Sequence, residues 1–465
     1  MKFKVKDVDL STGGTLIVIL NSEDAKKLDL HGGDRVILKK GKKEIITSVD
    51  ITHSNKNIKN GQVGLFEEVL DTLKVKKGEI ISVNPTHTPA SIEIIKNKLD
   101  GKILSEKEIN ILVKDMVEND LTEMELAYFV SACYNEKLNH EEIVAFTKAV
   151  LKNGKQINFG RGIMADKHCL GGVPNNRTTM LITPIIASAG LKIAKSSSRS
   201  ITSAAGTADT MEALAKIAFP LKKIKEIVKR ANGCIIWGGA MELAGADNKL
   251  IKVRHPLRLD PEGLMLASIL AKKASVGSTH VLIDIPIGKT AKIHSKKVAK
   301  NLKKKFIELG KTLGMKVQVM ITDGSQPIGN GIGPNLEARD ILYILKRDER
   351  APKDLEKKSI MMANKLFRLT KTKASAKEIL NSKVAYLKMR EIIKLQGGKV
   401  SINPDNLELG KYTFDVKSTK SGKVSEMNNI KLTKVARIAG SPEDKKAGIY
   451  LYKHVKDKVK RGEKL

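Results

Sequence analysis

The sequence predicts a multidomain α/β protein: an N-terminal pseudo-twofold β-barrel, a helical bundle domain, a central parallel α/β domain and a small C-terminal β domain. Three observations carry this. A helix, glycine turn and strand recur as a unit within the first 84 residues. Three helix-start boxes fall between Ser105 and Glu142, and from about residue 160 Gly-rich loops alternate with apolar strands. At 465 residues the chain is also too long for a single hydrophobic core.

The repeated unit is Leu28-Asp29-Leu30-His31-Gly32-Gly33-Asp34-Arg35-Val36, then Leu73-Lys74-Val75-Lys76-Lys77-Gly78-Glu79-Ile80-Ile81. Each copy follows a short helical stretch and reads as a tight Gly turn, an acidic residue and a strand. A duplicated half of this size fits a small barrel over residues 1–84. Chance likeness between two lysine-rich turns is the plain alternative.

Asn84-Pro85-Thr86 breaks the pattern and opens a helical region over 85–158. Ser105 pairs with Glu108, Thr122 with Glu125 and Asn139 with Glu142. In each box a short polar side chain caps a free backbone N–H, and the acidic residue reaches back. Apolar residues at helical spacing follow, such as Ile109, Leu112, Val113 and Met116. Short connections make this a bundle. Arg254 to Ser275 also reads as helical, and residues 245–276 are expected to return to the bundle.

Ile193 to Lys195, Cys234 to Trp237, Thr279 to Ile285 and Met315 to Ile321 are strand candidates separated by helical segments. That alternation predicts a parallel sheet over 159–397. After Gly397 short alternating strands such as Tyr412 to Val416 predict a β domain over 398–465.

Composition narrows the function. A net charge of +33 admits anionic partners. Yet lysines recur throughout, as in Lys292 to Lys305 and Lys453 to Lys464, with acidic residues among them. Most of this charge reads as a solvated surface, and the rest as a funnel for anionic substrates or a nucleic-acid contact. With 4% aromatic residues and one Trp, a base-stacking surface is disfavoured. Cys133, Cys169 and Cys234 are far apart and form no metal or redox spacing, which fits a reducing cytoplasm. The N-terminus lacks the apolar core of a signal peptide. The most apolar stretch, Thr178 to Leu191, is too short to span a bilayer, so a soluble protein without membrane contact is expected.

Four segments are suited to chemistry. Asp166-Lys167-His168-Cys169-Leu170-Gly171-Gly172-Val173-Pro174-Asn175-Asn176-Arg177-Thr178-Thr179 pairs two glycines with a following helix, whose positive end faces any anion the loop admits. Lys167 and Arg177 add full charges. It matches neither a Walker loop nor a dinucleotide fingerprint, and a Gly turn entering a helix is also an ordinary structural feature. Ser196-Ser197-Ser198-Arg199-Ser200-Ile201-Thr202-Ser203-Ala204-Ala205-Gly206-Thr207 offers hydroxyls and an Arg to phosphate or ribose oxygens; the alternative is a flexible Ser-rich loop. In Leu259-Asp260-Pro261, Asp260 taken alone reads as an N-cap with Pro261 at the first helical position. Thr322 to Pro334, rich in glycine, reads as a site-lining loop or a plain connection. Together they point to a phosphate-handling enzyme.

These segments resemble the nucleoside phosphorylases of the thymidine phosphorylase superfamily, in particular the archaeal AMP phosphorylase branch. The Asp166 to Val173 loop is similar to the superfamily's phosphate loop, and Ser198 to Ser203, Leu259 to Pro261 and Thr322 to Pro334 are similar to the AMP branch. The extra N-terminal domain matches that branch too. The resemblance implies phosphorolysis of AMP to adenine and D-ribose 1,5-bisphosphate, with other nucleoside 5′-monophosphates as further substrates. It implies that Gly172, Ser198, Arg199, Ser200, Ile201, Thr202, Ser203, Thr207, Ser268 and Lys292 bind the nucleotide. Lys167, Thr178, Ser197 and Thr207 would hold inorganic phosphate, and Asp260 would donate a proton to the leaving base. A homodimer or larger homo-oligomer is implied, with no cofactor, no metal and no specific nucleic-acid partner.

Two departures touch the phosphate loop. Cys169 stands where relatives usually carry Ser, and Asn175-Asn176-Arg177 where Gly-Asn-Lys is usual. Val455 to Leu465 resembles a turn of lipoyl-like β domains past which relatives continue, so an incomplete last domain is expected. A pyrimidine (thymidine) nucleoside phosphorylase is the nearest rival, but it leaves the N-terminal domain and the Ser-rich surface unexplained. A phosphoribosyl transferase would call for an acidic metal-binding pair that is not seen in the expected context. From another class, a basic nucleic-acid-binding protein would lose affinity steeply with salt.

Overall fold

The computed structural model describes every residue except 87, 201, 202, 242–244, 258 and 400, and of residues 240, 241, 255 and 257 the backbone alone. The chain divides into two compact units. One is Met1–Asn153 with Gly245–Met265, the other Gly154–Ala244 with Leu266–Leu465.

The first unit opens with β1 (Lys2–Asp7), β2 (Ile17–Asn21), α1 (Ser22–Lys27), β3 (Arg35–Lys40), β4 (Lys43–Thr52), β5 (Gln62–Leu65), α2 (Glu67–Leu73) and β6 (Ile80–Pro85). The strands close into a six-stranded barrel in the order β1-β5-β2-β4-β3-β6. Alternate residues such as Phe3, Val5, Val18, Leu20, Val36 and Leu38 are buried, as the two-residue period of a strand requires. The two Gly turns are built alike. The Gly33 N–H donates to the Val49 carbonyl at 2.8 Å and the Gly78 N–H to the Val5 carbonyl at 2.8 Å. Asp34 accepts from the His31 N–H at 2.6 Å, and Glu79 from the Lys76 N–H at 3.0 Å. Both glycines have positive φ, +94° and +90°, which is why the turns carry glycine.

Helices α3 (Ser91–Leu99), α4 (Glu106–Glu118), α5 (Glu123–Asn135) and α6 (His140–Lys152) follow. The boxes at Ser105, Thr122 and Asn139 are all formed. The third goes further than its sequence implied. Glu142 is buried; one carboxylate oxygen caps Asn139 at 2.8 Å, and the other accepts from Lys98 Nζ at 2.9 Å and the Leu104 N–H at 3.0 Å.

The second unit contains β7 (Ala165–Cys169), α7 (Thr178–Ser188), β8 (Ile193–Ser197), α8 (Thr207–Glu212), α9 (Leu221–Ala231) and β9 (Gly233–Trp237). The chain then passes to α10 (Gly245–Leu257) of the first unit, and α11 (Glu262–Ala274) carries it back. The helical stretch read over Arg254 to Ser275 is thus occupied by parts of two helices. Pro261 lies at the break and, having no N–H to place, opens α11 as the residue whose carbonyl accepts from Met265 N–H at 3.0 Å. Asp260 therefore lies one residue before the capping position that its sequence suggested.

Next come β10 (His280–Ile287), α12 (Lys296–Thr312), β11 (Lys316–Asp323), α13 (Pro334–Lys346), α14 (Lys353–Thr370), α15 (Ala376–Asn381) and α16 (Val384–Leu395). Strands β11-β10-β7 and β8-β9 pair in parallel, and a parallel bridge from Met164 to Lys192 sets β8 beside β7. The carboxyl ends of the strands therefore share one edge, where parallel sheets receive ligands. The apolar Thr178 to Leu191 stretch is the core helix α7, with Met180, Leu181, Ile182, Ile185 and Ile186 wholly buried. Among the described residues no helix is long and apolar enough to cross a membrane.

Past residue 400 the chain forms a short 3-10 turn (Pro404–Asn406), α17 (Asn429–Ile438) and the two-residue ladder of Gly422–Lys423 with Lys458–Val459, while Ile449–Tyr450 pairs back with Gly331–Ile332. Tyr412 to Val416 is not a strand. Tyr412 and Phe414 are 89% and 90% exposed, so its alternation has no buried face to fix a register.

The Lys98–Glu142 pair generates a stability prediction. Glu142→Ala leaves a buried ammonium and two N–H groups unpaired, so it should destabilise the first unit by about 3–5 kcal/mol. Chemical denaturation checks this: the transition reporting the bundle moves to lower denaturant.

Candidate active site

Four loops leave the carboxyl edge of the parallel sheet, and they hold most of the residues singled out by sequence. The loop after β7 is built by burial. Lys167 is 1% exposed on β7, and its ammonium donates to the Thr178 hydroxyl at 2.7 Å, at the first turn of α7. A lysine and a helix N-terminus thus point their positive ends at the same place. Burial pushes the Lys167 ammonium below its ordinary range, and Asp284 opposes that shift. Gly171 and Gly172 follow with φ of +91° and +84°. A Cβ on Gly172 would lie 2.2 Å from the Lys292 amide nitrogen, so only glycine allows the two loops to meet.

The rest of this loop is fixed by acids. Asn175 Nδ2 donates to Asp340 at 2.7 Å, Asn176 Nδ2 to Asp284 at 3.2 Å, and Arg177 Nε to Glu337 at 2.6 Å. Asn176 also donates to Cys169 Sγ at 3.0 Å, and the Gly171 N–H reaches the same sulfur at 3.4 Å. The thiol therefore acts as an acceptor inside the loop, and burial pushes its pKa up.

The Ser-rich loop after β8 folds around Gly206 and Asp209. Asp209 accepts from the Ser200 N–H at 2.7 Å and the Gly206 N–H at 2.8 Å. A Cβ on Gly206 would sit 2.7 Å from the Ser198 carbonyl oxygen, so this approach also demands glycine. The Ser203 hydroxyl donates to the Ala205 carbonyl at 2.9 Å, and Thr207 starts α8. Ser197 ends β8, its hydroxyl turned to the Ser198 carbonyl at 3.2 Å. Arg199 is bound on the protein itself, to both Glu212 oxygens at 2.8 and 2.6 Å and over the Trp237 ring at 4.9 Å. The Arg199 bonds hold the Glu212 carboxyl down at about 2. Ile201 and Thr202 lie outside the described residues. Arg177 donates to the Ala205 carbonyl, so the two loops are tied directly.

Lys292, in the loop after β10, contributes its backbone beside Gly172. Ser268 is buried on α11 and accepts from Lys272 at 3.4 Å. Asp260 belongs to the other unit, where its carboxylate lies 3.3 Å from Arg254 Nη1. Among the described residues, no group of three or more His, Cys, Asp or Glu side chains is placed to hold a metal ion.

The structure adds four residues that sequence reasoning missed: Asp284, Glu337, Asp340 and Lys358. Asp284, fully buried on β10, also accepts from the Thr322 hydroxyl at 2.6 Å and pairs with Lys358 at 3.1 Å. Burial alone would raise its pKa, but Lys358 and Lys167 hold it below the ordinary carboxylate value. For Glu337 and Asp340 burial prevails and raises both. A signal existed for Asp284, a lone charge within the apolar run Val281–Ile287. Lys358 had none, being one lysine among several on its helix.

Comparison with known proteins agrees with this geometry. Residues 161–389 match the glycosyl transferase family a/b domain, and residues 92–154 match its helical bundle domain. The AMP phosphorylases of Pyrococcus furiosus and Thermococcus kodakarensis are 44% and 43% identical to the chain, across all of it and 93% of each relative. The AMP phosphorylase of Methanocaldococcus jannaschii is 42% identical, over all of the chain and 92% of its own length. The crystal structure of anthranilate phosphoribosyltransferase from Thermus thermophilus shares the fold, with a TM-score of 0.54 at 18% identity, over 65% of this chain and 99% of that one. With this identity over the full chain, and with both domain models matched, the chain belongs to the AMP phosphorylase family of the glycosyl transferases.

Proposed function

We propose that the chain is a pentosyl transferase that cleaves AMP with inorganic phosphate, giving adenine and D-ribose 1,5-bisphosphate. The observation that carries this is the pair of anion-suited loops on one sheet edge. One is Lys167, Thr178 and the Gly172 turn at the start of α7; the other is the hydroxyl-lined turn about Gly206; Arg177 joins them. Two anions must share the cleft, inorganic phosphate and the 5′-phosphate of the nucleotide, and each needs its own donors.

The reaction forms a bond from a phosphate oxygen to C1′ and breaks the bond from C1′ to the base. Electrons of the broken bond go to the base, which takes a proton from Asp260. Lys167, Thr178, Ser197 and Thr207 position the phosphate, and Gly172, Ser198 to Ser203, Thr207, Ser268 and Lys292 the nucleotide. The protein's contribution is then placement and charge compensation. To carry a proton Asp260 must leave its ion pair with Arg254.

The finer architecture joins the same reading. Exchanging β1, β2 and β3 with β4, β5 and β6 leaves the strand pairings unchanged, which supports a doubled half-barrel. Residues 398–465 are read as a small β domain, supported by the ladder of Gly422–Lys423 with Lys458–Val459. Three free cysteines favour a reducing cytoplasm, and the family favours a homo-oligomer.

Three outcomes test this. Wild-type protein should release adenine from AMP only when phosphate is present, and should leave adenosine and thymidine essentially uncleaved; release from thymidine alone would make it a nucleoside phosphorylase. Asp260→Asn should lower kcat by ~10²–10⁴ with AMP binding intact, read by steady-state kinetics and calorimetry. Because burial lowers the Lys167 pKa, its charge is lost earlier than an ordinary lysine's as pH rises. Phosphate KM should therefore climb through the alkaline range ahead of AMP KM.

A further inference from the structure

Three consecutive residues of the phosphate loop, Asn175, Asn176 and Arg177, each dock on a different buried carboxylate, Asp340, Asp284 and Glu337. All three acids are 1% exposed or less. An ionised acid in such a place is retained at a cost unless its bonds do something. Each of these also serves a second part of the site. Asp340 accepts from the Asn330 and Gly331 N–H groups at 2.7 and 2.8 Å, and so holds the loop after β11. Asp284 takes the Thr322 hydroxyl from the end of β11. Glu337 takes the Thr210 hydroxyl of α8 at 2.9 Å, just past the Ser-rich loop, while Arg177 reaches the Ala205 carbonyl inside that loop.

We propose that Asp284, Glu337 and Asp340 are positioning residues: they preset the phosphate loop for its anion, and Glu337 holds Arg177 so that its second arm, on the Ala205 carbonyl, couples phosphate binding to nucleotide binding. Neither Glu337 nor Asp340 needs to touch a substrate. Helix α13 places both acids, three residues apart, on one face beneath the loops. The Asn175 side chain has a defined task in this scheme. Its backbone is left-handed, φ +53°, a conformation glycine takes without strain, so asparagine stands there for its bond to Asp340 rather than for its backbone. Asn176 binds Cys169 as well as Asp284, which fastens the thiol into the same arrangement.

The proposal rests on the phosphate-loop reading, so its test includes a readout that does not depend on turnover. Inorganic phosphate is titrated calorimetrically into full-length wild type, Asn175→Gly, Glu337→Gln and Arg177→Lys, with and without saturating AMP, and adenine release is followed in parallel. Asn175→Gly keeps the backbone conformation and guards against a variant that fails to fold. Asn175→Gly and Glu337→Gln should weaken phosphate binding about tenfold, with AMP KM moving less than about threefold. Arg177→Lys can keep its pairing with Glu337 but loses the second arm to Ala205. It should bind phosphate nearly as wild type does, yet lose the mutual tightening between phosphate and AMP. Folded variants with unchanged phosphate affinity and undiminished coupling would overturn the proposal, as would a wild type that binds no phosphate. A wild type that binds phosphate but does not cleave AMP would instead reject the reaction assignment and leave the positioning role to be judged on binding.

Discussion

The carboxyl edge of the sheet in the second unit depends on carboxylates taken out of water. Asp284, Glu337 and Asp340 are buried between the sheet and its helices, and each is surrounded by donors from loops that have no other reason to lie together. Removing an acid from water costs several kcal/mol, offset only when its oxygens are well bonded. That condition forces the loops after β7, β8 and β11 into a single arrangement. The glycines complete it, since Gly172 and Gly206 allow backbone contacts that any side chain would block.

Charge follows from the same constraint. A buried carboxylate opposes any anion near it, and Asp284 is answered by two buried lysines, Lys167 and Lys358. Asp284 in turn opposes the effect of burial on Lys167. Farther out, the lysine-rich surface and the net charge of +33 favour approach by small anions. Asp284 and Glu337 thus pair with cations, and all three acids hold the loops in place.

Sequence reading reached much of this architecture, and the limits are physical. The capping boxes at Ser105, Thr122 and Asn139 are local chemistry, and they form as read. The strands beginning near Ile193, Cys234, Thr279 and Met315 lie where apolar runs placed them. Tyr412 to Val416 failed because alternation is informative only where one face is buried, and here neither is. The break at Pro261 was visible as a proline, but the split into two helices was set by the route of the chain between units. In the site, Lys167 and the glycine pair announced themselves by composition. Glu337, Asp340 and Lys358 did not, because an acid or lysine on a helix looks the same whether it faces water or a loop more than a hundred residues away; Glu337 lies 160 positions from Arg177. Their roles exist only through tertiary contact.

The most direct measurement of the central claim follows phosphorus rather than adenine. AMP is incubated with the protein and isotopically labelled inorganic phosphate, and the sugar product is examined by ³¹P NMR. Phosphorolysis of AMP gives a ribose that carries two phosphoryl groups, the labelled one at C1 and the unlabelled one at C5. A product with phosphate only at C5, formed without consumption of label, would mean hydrolysis and would contradict an edge built to hold a second anion.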